Sequence, residues 1–170
     1  MSQTSNKPTP FKLAIADAVL DDLRDRLART RWPDEPPLES WSTGASVDYV
    51  KSLCEYWRRD FDWRKHEAAI NGLRQFKVPI GGIDLHFIHE EGKGSKPMPL
   101  LLSHGWPGSI VEFLQMIPML TDPARFGGDP RDAFTVVAPS LPGYTLSFKP
   151  GQERFGVEEI SELFAQLMTD

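Results

Sequence analysis

Residues 99–109, which read PLLLSHGWPGS, join an apolar run to a turn rich in glycine and proline. An uninterrupted apolar run is typical of a strand that is covered on both faces, so Pro99–Ser103 is predicted to be a buried strand. His104–Gly108 then turns the chain, and Ser109 is placed to cap a helix that continues to about Leu120. A buried strand that leads into a helix is the basic unit of an α/β fold, and ligand sites in such folds lie at this end of the strands.

An alternating pattern precedes this stretch. Apolar residues occupy every second position in Phe76–Ile80 and again in Ile83–Phe87, with Gly81–Gly82 between the two runs. Two alternating runs joined by two glycines are typical of a β-hairpin.

Three amphipathic helices are predicted before the hairpin. Apolar residues recur every three or four positions from Leu13 to Leu27, Ser46 can cap a second helix, and Asp62 can cap a third that ends near Gly72. Residues 1–10 are polar and contain prolines, so they are expected to form a flexible lead-in.

The segment after the predicted turn continues the α/β pattern. Phe134–Ala138 is predicted to be a second buried strand, Thr121–Asp132 a loop, and Val157 to about Met168 a helix. The predicted order is therefore three helices, a hairpin, and then strand–helix–strand–helix, in which a parallel sheet begins.

The composition limits the classes of function. With 170 residues, a net charge of −5 and a pI near 5.4, the chain does not resemble a nucleic-acid-binding protein or one that binds an anionic membrane. Its single cysteine, Cys54, excludes an internal disulfide. No apolar run approaches the roughly 20 residues of a membrane span, and residues 1–10 lack a signal-peptide core, so a cytoplasmic location is expected.

The turn after the first buried strand is the strongest candidate for chemistry. Gly105 permits a close backbone approach, and Pro107 fixes the backbone after Trp106 and makes the preceding bond a candidate cis bond. Such a turn can direct the Trp106 backbone N–H into a pocket, where it would stabilise a developing oxyanion. An ordinary strand-to-helix turn remains the alternative, but a second rigid loop at Ala138–Tyr144, after the second strand, strengthens the prediction of a site.

These motifs together resemble an epoxide hydrolase of the microsomal type. The resemblance extends over roughly residues 10–170, and the H-G-x-P element within it is shared with dehalogenases and other α/β-hydrolases. The matching segments are Arg31–Pro33, Trp41, Gly44, Tyr49, Tyr56–Trp57, Phe61–Arg64, Gly82–His89, His104–Ser109 and Ser140–Tyr144. The resemblance implies a flexible lead-in at 1–10, a helical wrapping segment at 11–73, and an incomplete α/β-hydrolase core at 74–170.

The resemblance also implies a reaction. In the family an aspartate opens the epoxide to form an alkyl ester, a histidine oriented by a carboxylate activates water, and two tyrosines bind the epoxide oxygen. Trp106 would supply one oxyanion-hole N–H, with His104, Gly105 and Pro107 shaping its turn, and Trp106 and Tyr144 would line the substrate pocket. The substrate implied is a small-molecule epoxide, and no cofactor or metal is implied.

The nucleophile and the base have no match in this sequence. The family places its aspartate in a G-G-D-W-G sequence after the last helix, and the chain stops at Asp170. Gly127–Asp129 is followed by a proline and precedes a strand, so we reject Asp129 as the nucleophile. We therefore expect no epoxide turnover by this chain alone.

The histidines outside the turn are not expected to form a site. His86 and His89 would point to opposite faces of one strand, which is unfavourable for a shared metal. His66 is expected on a helix surface, and His104 is expected to be a hydrogen-bonded residue of the turn. Cys54 is expected to be a buried helix contact.

Two other functional classes remain open. The chain can be a non-catalytic module or fragment that needs a partner, or half of another α/β-hydrolase such as a dehalogenase. In the strand order that the resemblance implies, the run Leu100–Ser103 would be an exposed edge, so self-association is expected.

Overall fold

The computed structural model describes residues 7–169, which are divided between two compact units. One unit comprises residues 13–68 and is called the helical unit below. The other comprises the chain before residue 13 and from residue 69 onward, and is called the sheet unit.

The helical unit contains the predicted helices. Helix α1 spans Asp17–Ala28, α2 spans Val47–Arg59, and α3, Trp63–Ile70, begins in this unit. Both predicted caps are confirmed, because Ser46 Oγ accepts a hydrogen bond from the Tyr49 N–H and Asp62 Oδ1 accepts one from the Lys65 N–H.

The sheet unit is built on one five-stranded sheet in the order β1-β2-β3-β5-β4. The pair β4 and β5 is parallel, and all the other pairs are antiparallel. The strands are β1 Thr9–Phe11, β2 Gln75–Ile80, β3 Ile83–Glu90, β4 Met98–Leu101 and β5 Phe134–Pro139. The predicted α/β class is confirmed. The predicted parallel pairing is also found, between β4 and β5, the two strands that precede the candidate site.

The hairpin forms as predicted. Strands β2 and β3 pair in register from Gln75 with Ile88 to Ile80 with Ile83. Both turn residues have positive φ, +56° at Gly81 and +77° at Gly82, which is the conformation of a type I′ turn. The two glycines are therefore required by the geometry of the turn.

The predicted lead-in over residues 1–10 is wrong at Thr9 and Pro10, whereas Lys7 and Pro8 have no regular secondary structure. Thr9–Phe11 forms β1, which pairs with β2 opposite Gln75–Lys77. The expectation failed because two prolines and short polar residues look like a loop, yet an edge strand tolerates proline. The rest of the predicted lead-in, residues 1–6, lies outside the described residues.

The prediction that Pro99–Ser103 is covered on both faces is also wrong. Strand β4 is the edge of the sheet, Met98 and Pro99 are exposed, and Leu100 and Leu101 are only half-buried. The Met98 N–H donates to the Ala133 carbonyl just before β5, and the Leu102 N–H donates to Val137 within it. Alternation therefore points the backbone groups of residues 99 and 101 away from β5. Proline is accepted there because it has no N–H to leave unpaired.

The helix predicted from Ser109 to Leu120 is interrupted. A 3₁₀ helix at Ile110–Phe113 is followed by a separate α4 at Met116–Thr121. Pro118 explains the break, because it has no N–H for the Leu114 carbonyl and is tolerated only in the first turn of a helix. The predicted loop over Thr121–Asp132 contains two short 3₁₀ helices, at Pro123–Phe126 and Pro130–Asp132.

The core of the sheet unit lies between the hairpin and the last helix. Helix α5, Val157–Thr169, is confirmed and buries Leu163 and Phe164. These two side chains pack in one cluster with the inward residues of the hairpin, which are Val78, Ile80, Ile83, Leu85 and Phe87. The adjacent Ile88 and His86 are also fully buried, so the middle of β3 is covered on both faces.

Candidate active site: the oxyanion turn

The turn that follows β4, residues 104–108, is called the oxyanion turn below. Its peptide bond between Trp106 and Pro107 is cis, as expected. The Trp106 side chain is 82% exposed, whereas His104 is buried at 4%. The turn therefore holds one side chain inward and presents the other outward.

His104 joins the oxyanion turn to the loop after β5. The Leu141 N–H donates to His104 Nε2 over 3.1 Å, and His104 Nδ1 lies 3.1 Å from the Gly105 carbonyl oxygen. Because Nε2 accepts a hydrogen bond, the ring proton sits on Nδ1 and is donated to Gly105. The expectation that His104 is a hydrogen-bonded residue of the turn is confirmed.

The Gly105 carbonyl fixes the direction of the next N–H. Its oxygen accepts from His104 Nδ1 and from the Gly108 N–H, the latter over 2.7 Å. The C=O and N–H of a trans peptide point in opposite directions, so the Trp106 N–H points away from both donors. Among the residues that the structure describes, this N–H has no hydrogen-bond partner. It is therefore a free and oriented donor.

Gly108 closes the turn where no side chain fits. A Cβ at this position would lie 2.8 Å from the Gly105 carbonyl oxygen and would also clash with Glu112 Oε1. That carboxylate accepts from the Ser109 N–H over 3.1 Å, while Ser109 Oγ accepts from the Val111 N–H. Ser109 is thus the cap of the following helix, as predicted, and Glu112 completes a capping box.

Tyr144 packs against the same histidine. Its ring meets the His104 ring edge-on with centroids 5.3 Å apart, and its side chain is half-buried. The structure therefore brings together His104, Gly105 and Tyr144, whereas Trp106 and Pro107 extend outward from the turn.

The loop after β5 rests on a buried histidine whose role the sequence did not reveal. His86 is fully buried, with Nδ1 2.9 Å from Ser140 Oγ and Nε2 3.1 Å from Gln75 Oε1. Burial, with a smaller contribution from the positive charge of Lys77, lowers the pKa of His86 from 6.5 to about 3. His86 is therefore neutral at physiological pH.

One sequence signal pointed to this group. Ile88 lies on the same face of β3 as His86, and an apolar residue there implies that this face is covered too. The partners Ser140 and Gln75 lie 54 and 11 residues away along the chain, so only the fold identifies them.

The remaining candidates form no catalytic group in the described part of the chain. None of the histidines there is hydrogen-bonded to a carboxylate. His66 is exposed and stacks on Phe61, and Cys54 is half-buried where a buried contact was predicted. Asp129 caps a 3₁₀ helix and pairs with Arg131, which lowers the pKa of Asp129.

No group of side chains within residues 7–169 has the arrangement of a metal site. Within that same range, no helix combines the length and apolar character that crossing a bilayer requires.

The largest of the three main cavities in the described residues does not lie at the oxyanion turn. It measures about 550 Å³ and belongs to the helical unit, where apolar residues of α1, α2 and the start of α3 form most of its wall. The lining includes Arg24 but neither a carboxylate nor a histidine, so it offers no acid–base pair. None of the three main cavities in the described residues is lined by Trp106 or Tyr144.

Comparison with known proteins identifies the family. The family model described as "Epoxide hydrolase N terminus" matches residues 8–113, which is more than half of the chain and includes the oxyanion turn. Epoxide hydrolase 1 of Oryctolagus cuniculus is 39% identical over 165 residues, and Juvenile hormone epoxide hydrolase 2 of Ctenocephalides felis is 37% identical over 164. Each alignment covers 94% of this chain.

Solved structures agree with the sequence relatives. The epoxide hydrolase of Aspergillus niger superposes with a TM-score of 0.80 at 33% identity, over 96% of this chain and 43% of that one. The chain spans only 36% and 34% of the two sequence relatives above. The chain therefore belongs to the epoxide hydrolase family, and it corresponds to the N-terminal portion of these proteins.

Proposed function

We propose that this chain supplies the first part of an enzyme that hydrolyses a small-molecule epoxide to a vicinal diol through an aspartyl ester. Its contribution to the chemistry is the Trp106 backbone N–H, which donates to the oxyanion that forms when water attacks the ester. The observation that carries this proposal is the Gly105 carbonyl, whose two donors leave the Trp106 N–H free and directed outward.

The other predicted site residues have supporting roles in this proposal. His104 and Gly105 hold the direction of the donor, and Pro107 fixes the backbone that follows it. Trp106 and Tyr144 form part of the substrate wall, a role supported by the exposure of Trp106 and by the contact of Tyr144 with His104.

We propose further that the 170-residue chain alone does not turn over epoxides. The support is that no described histidine contacts a carboxylate, and that Asp129 is already paired with Arg131. Without an aspartate nucleophile and a water-activating base, neither half of the reaction has its reacting group.

The first experiment is an assay of the purified chain with one aromatic and one aliphatic epoxide. We expect no diol above the rate of uncatalysed hydrolysis. Diol formation by the pure chain would show that the described residues contain a complete site, and would overturn this part of the proposal.

The second experiment tests the oxyanion turn in a complete enzyme. Residues 8–170 replace the corresponding portion of Aspergillus niger epoxide hydrolase, to which the fold is similar. We expect the chimera to form diol, and His104→Ala to lower kcat by about 10²-fold because the Trp106 N–H loses its fixed direction.

The matched control in the chimera is His66→Ala, which removes an exposed histidine outside the turn. It is expected to leave kcat within about twofold, because it changes an exposed side chain that makes no hydrogen bond to the oxyanion turn. A chimera that folds with a cooperative thermal transition but forms no diol would overturn the proposed function.

A second candidate, an association module, is supported by the exposed edge of β4. We propose that the free chain self-associates through this edge. The association is expected to be weak, because Pro99 has no N–H and the edge therefore offers one hydrogen-bond donor fewer to a neighbouring strand. Size-exclusion chromatography across a concentration series is expected to show oligomers, and a monomer at every concentration would contradict it.

We also propose a cytoplasmic location and no nucleic-acid partner, supported by the single cysteine and the net charge of −5.

A further inference from the structure

The buried residues Gln75, His86 and Ser140 form a hydrogen-bonded row that ends beside the oxyanion turn. We infer that His86 is a positioning residue of the oxyanion turn, acting through Ser140 to hold the Leu141 N–H on His104. The inference deepens the proposed function, because the turn it positions is the proposed oxyanion donor.

The direction of each hydrogen bond in the row follows from the orientation of the Gln75 side-chain amide. The Gln75 side-chain amide donates to the Ile70 carbonyl over 3.1 Å and to Asn71 Oδ1 over 3.3 Å, so Gln75 Oε1 is left as an acceptor. His86 Nε2 lies 3.1 Å from that oxygen and must therefore carry the ring proton. His86 Nδ1 is then the acceptor, and the Ser140 hydroxyl donates to it.

Ser140 is held at three points by its neighbours. Its N–H donates to the His86 carbonyl over 2.9 Å, and its hydroxyl donates to His86 Nδ1 over 2.9 Å. Its carbonyl accepts from the Ser147 hydroxyl over 2.8 Å, and Ser147 Oγ in turn accepts from the His86 N–H over 3.0 Å. Ser140 is also buried, at 1% exposure, so water does not compete for these hydrogen bonds.

Leu141 connects Ser140 to the oxyanion turn. Leu141 is bonded directly to Ser140, and its N–H is the group that donates to His104 Nε2. That hydrogen bond keeps the His104 proton on Nδ1, where it holds the Gly105 carbonyl. His86 and His104 are therefore required to adopt opposite tautomers, with the proton on Nε2 in His86 and on Nδ1 in His104.

The first measurement is the ¹⁵N spectrum of the histidine rings in the ¹⁵N-labelled 170-residue chain at neutral pH. We expect an Nε2–H tautomer for His86 and an Nδ1–H tautomer for His104. The opposite tautomer at either ring would overturn the inference, and the spectrum requires neither an epoxide nor a variant.

The second measurement uses two conservative variants to distinguish the effect of His86 Nδ1 from that of Nε2. In His86→Asn the side-chain oxygen takes the place of Nδ1 and still accepts from Ser140, whereas in His86→Gln the amide takes the place of Nε2 and meets only Gln75. We expect His86→Asn to keep the His104 tautomer and the Leu141 amide protection. We expect His86→Gln to average the His104 tautomers and to speed Leu141 amide exchange by about tenfold.

Ser140→Ala should reproduce the effect of His86→Gln, because it removes the same hydrogen bond from the other side. The matched control is Thr121→Val, which removes a buried hydroxyl that donates to the Ile117 carbonyl, in the same unit but outside the row. Unchanged His104 and Leu141 signals in a folded Ser140→Ala variant would overturn the inference. A loss of diol formation in the chimera with these signals intact would instead count against the proposed function.

Discussion

The sheet unit and the helical unit bury their apolar residues to very different degrees. Of the buried apolar side chains in the described residues, only Leu13 and Leu20 belong to the helical unit. In α2 no residue is buried, and Leu53, Tyr56 and Trp57 on its apolar face are 46–51% exposed. The sheet unit is therefore stabilised by a core, whereas the helical unit depends more on polar contacts.

Glu67 is the centre of those polar contacts. Its carboxylate accepts from the Ile15 N–H over 2.7 Å, from Trp63 Nε1 and from Arg64, which also pairs with Asp17. The hydrogen bond from Ile15, together with Arg64, lowers the pKa of Glu67 below its usual value. The Glu67 side chain thus connects the start of α1 to α3. In the sheet unit, by contrast, the elements are held together by a cluster of apolar side chains.

Removal of one leucine from each unit should affect stability very differently. Leu85→Ala removes a fully buried side chain from the sheet unit, and we expect it to lower the free energy of unfolding by about 2–5 kcal/mol because a cavity remains. Leu53→Ala removes a side chain that is 48% exposed, and its cost is expected to be below about 1 kcal/mol. Urea unfolding of both variants gives the two values, and equal costs would remove the contrast between the units.

The second effect is a pH dependence that belongs to the sheet unit. The pKa of His86 is about 3 when folded and about 6.5 when unfolded, so the unfolded chain binds more protons between these values. The contribution of His86 to the free energy of unfolding is therefore fully present above about pH 6.5 and is lost as the pH falls toward 3, by on the order of 5 kcal/mol in total.

Thermal unfolding of the chain and of His86→Asn from pH 7 to pH 4 tests this pH dependence. The facing charge on Lys77 is present in both proteins, so the difference between them reports His86 itself. We expect a smaller slope for the variant. Parallel curves would show that His86 is not the group that titrates.

In the helical unit, a smaller effect is expected at Glu67. Glu67→Gln retains the shape of the side chain but weakens its three hydrogen bonds, so we expect the Ile15 amide to exchange about tenfold faster. Glu55→Gln is the matched control, because Glu55 pairs with Arg58 and Arg59 at the surface and should leave that amide unchanged. Equal exchange rates in both variants would show that Glu67 does not secure the start of α1.

The sequence predicted the features whose cause is local. The caps at Ser46 and Ser109, the glycine hairpin and the cis bond before Pro107 all follow from the residues at those positions. The features that it missed depend on distant partners. An isolated Thr9–Phe11 reads as a loop, and only β2 makes it a strand.

In the candidate site, too, the residues of the turn could be predicted from the sequence, whereas their distant hydrogen-bond partners could not. His104, Gly105 and Trp106 were identified from their turn, but the Leu141 N–H that fixes the His104 tautomer is a backbone group 37 residues away. Residue types carry no information about such a donor. The hydrogen-bonded row behind it was missed because a histidine within an alternating strand does not indicate a serine hydroxyl in a loop 54 residues further along the chain.

The doubly accepting Gly105 carbonyl has a consequence for the energetics of anion binding. In water a peptide dipole must rotate toward each new charge, and this reorganisation consumes much of the stabilisation that it gives. Here the rotation is complete once the chain has folded, because His104 and Gly108 hold the carbonyl before any substrate arrives. In the proposed function, the turn would therefore present a donor whose orientation was fixed during folding, so that binding of the anion would require little further reorganisation.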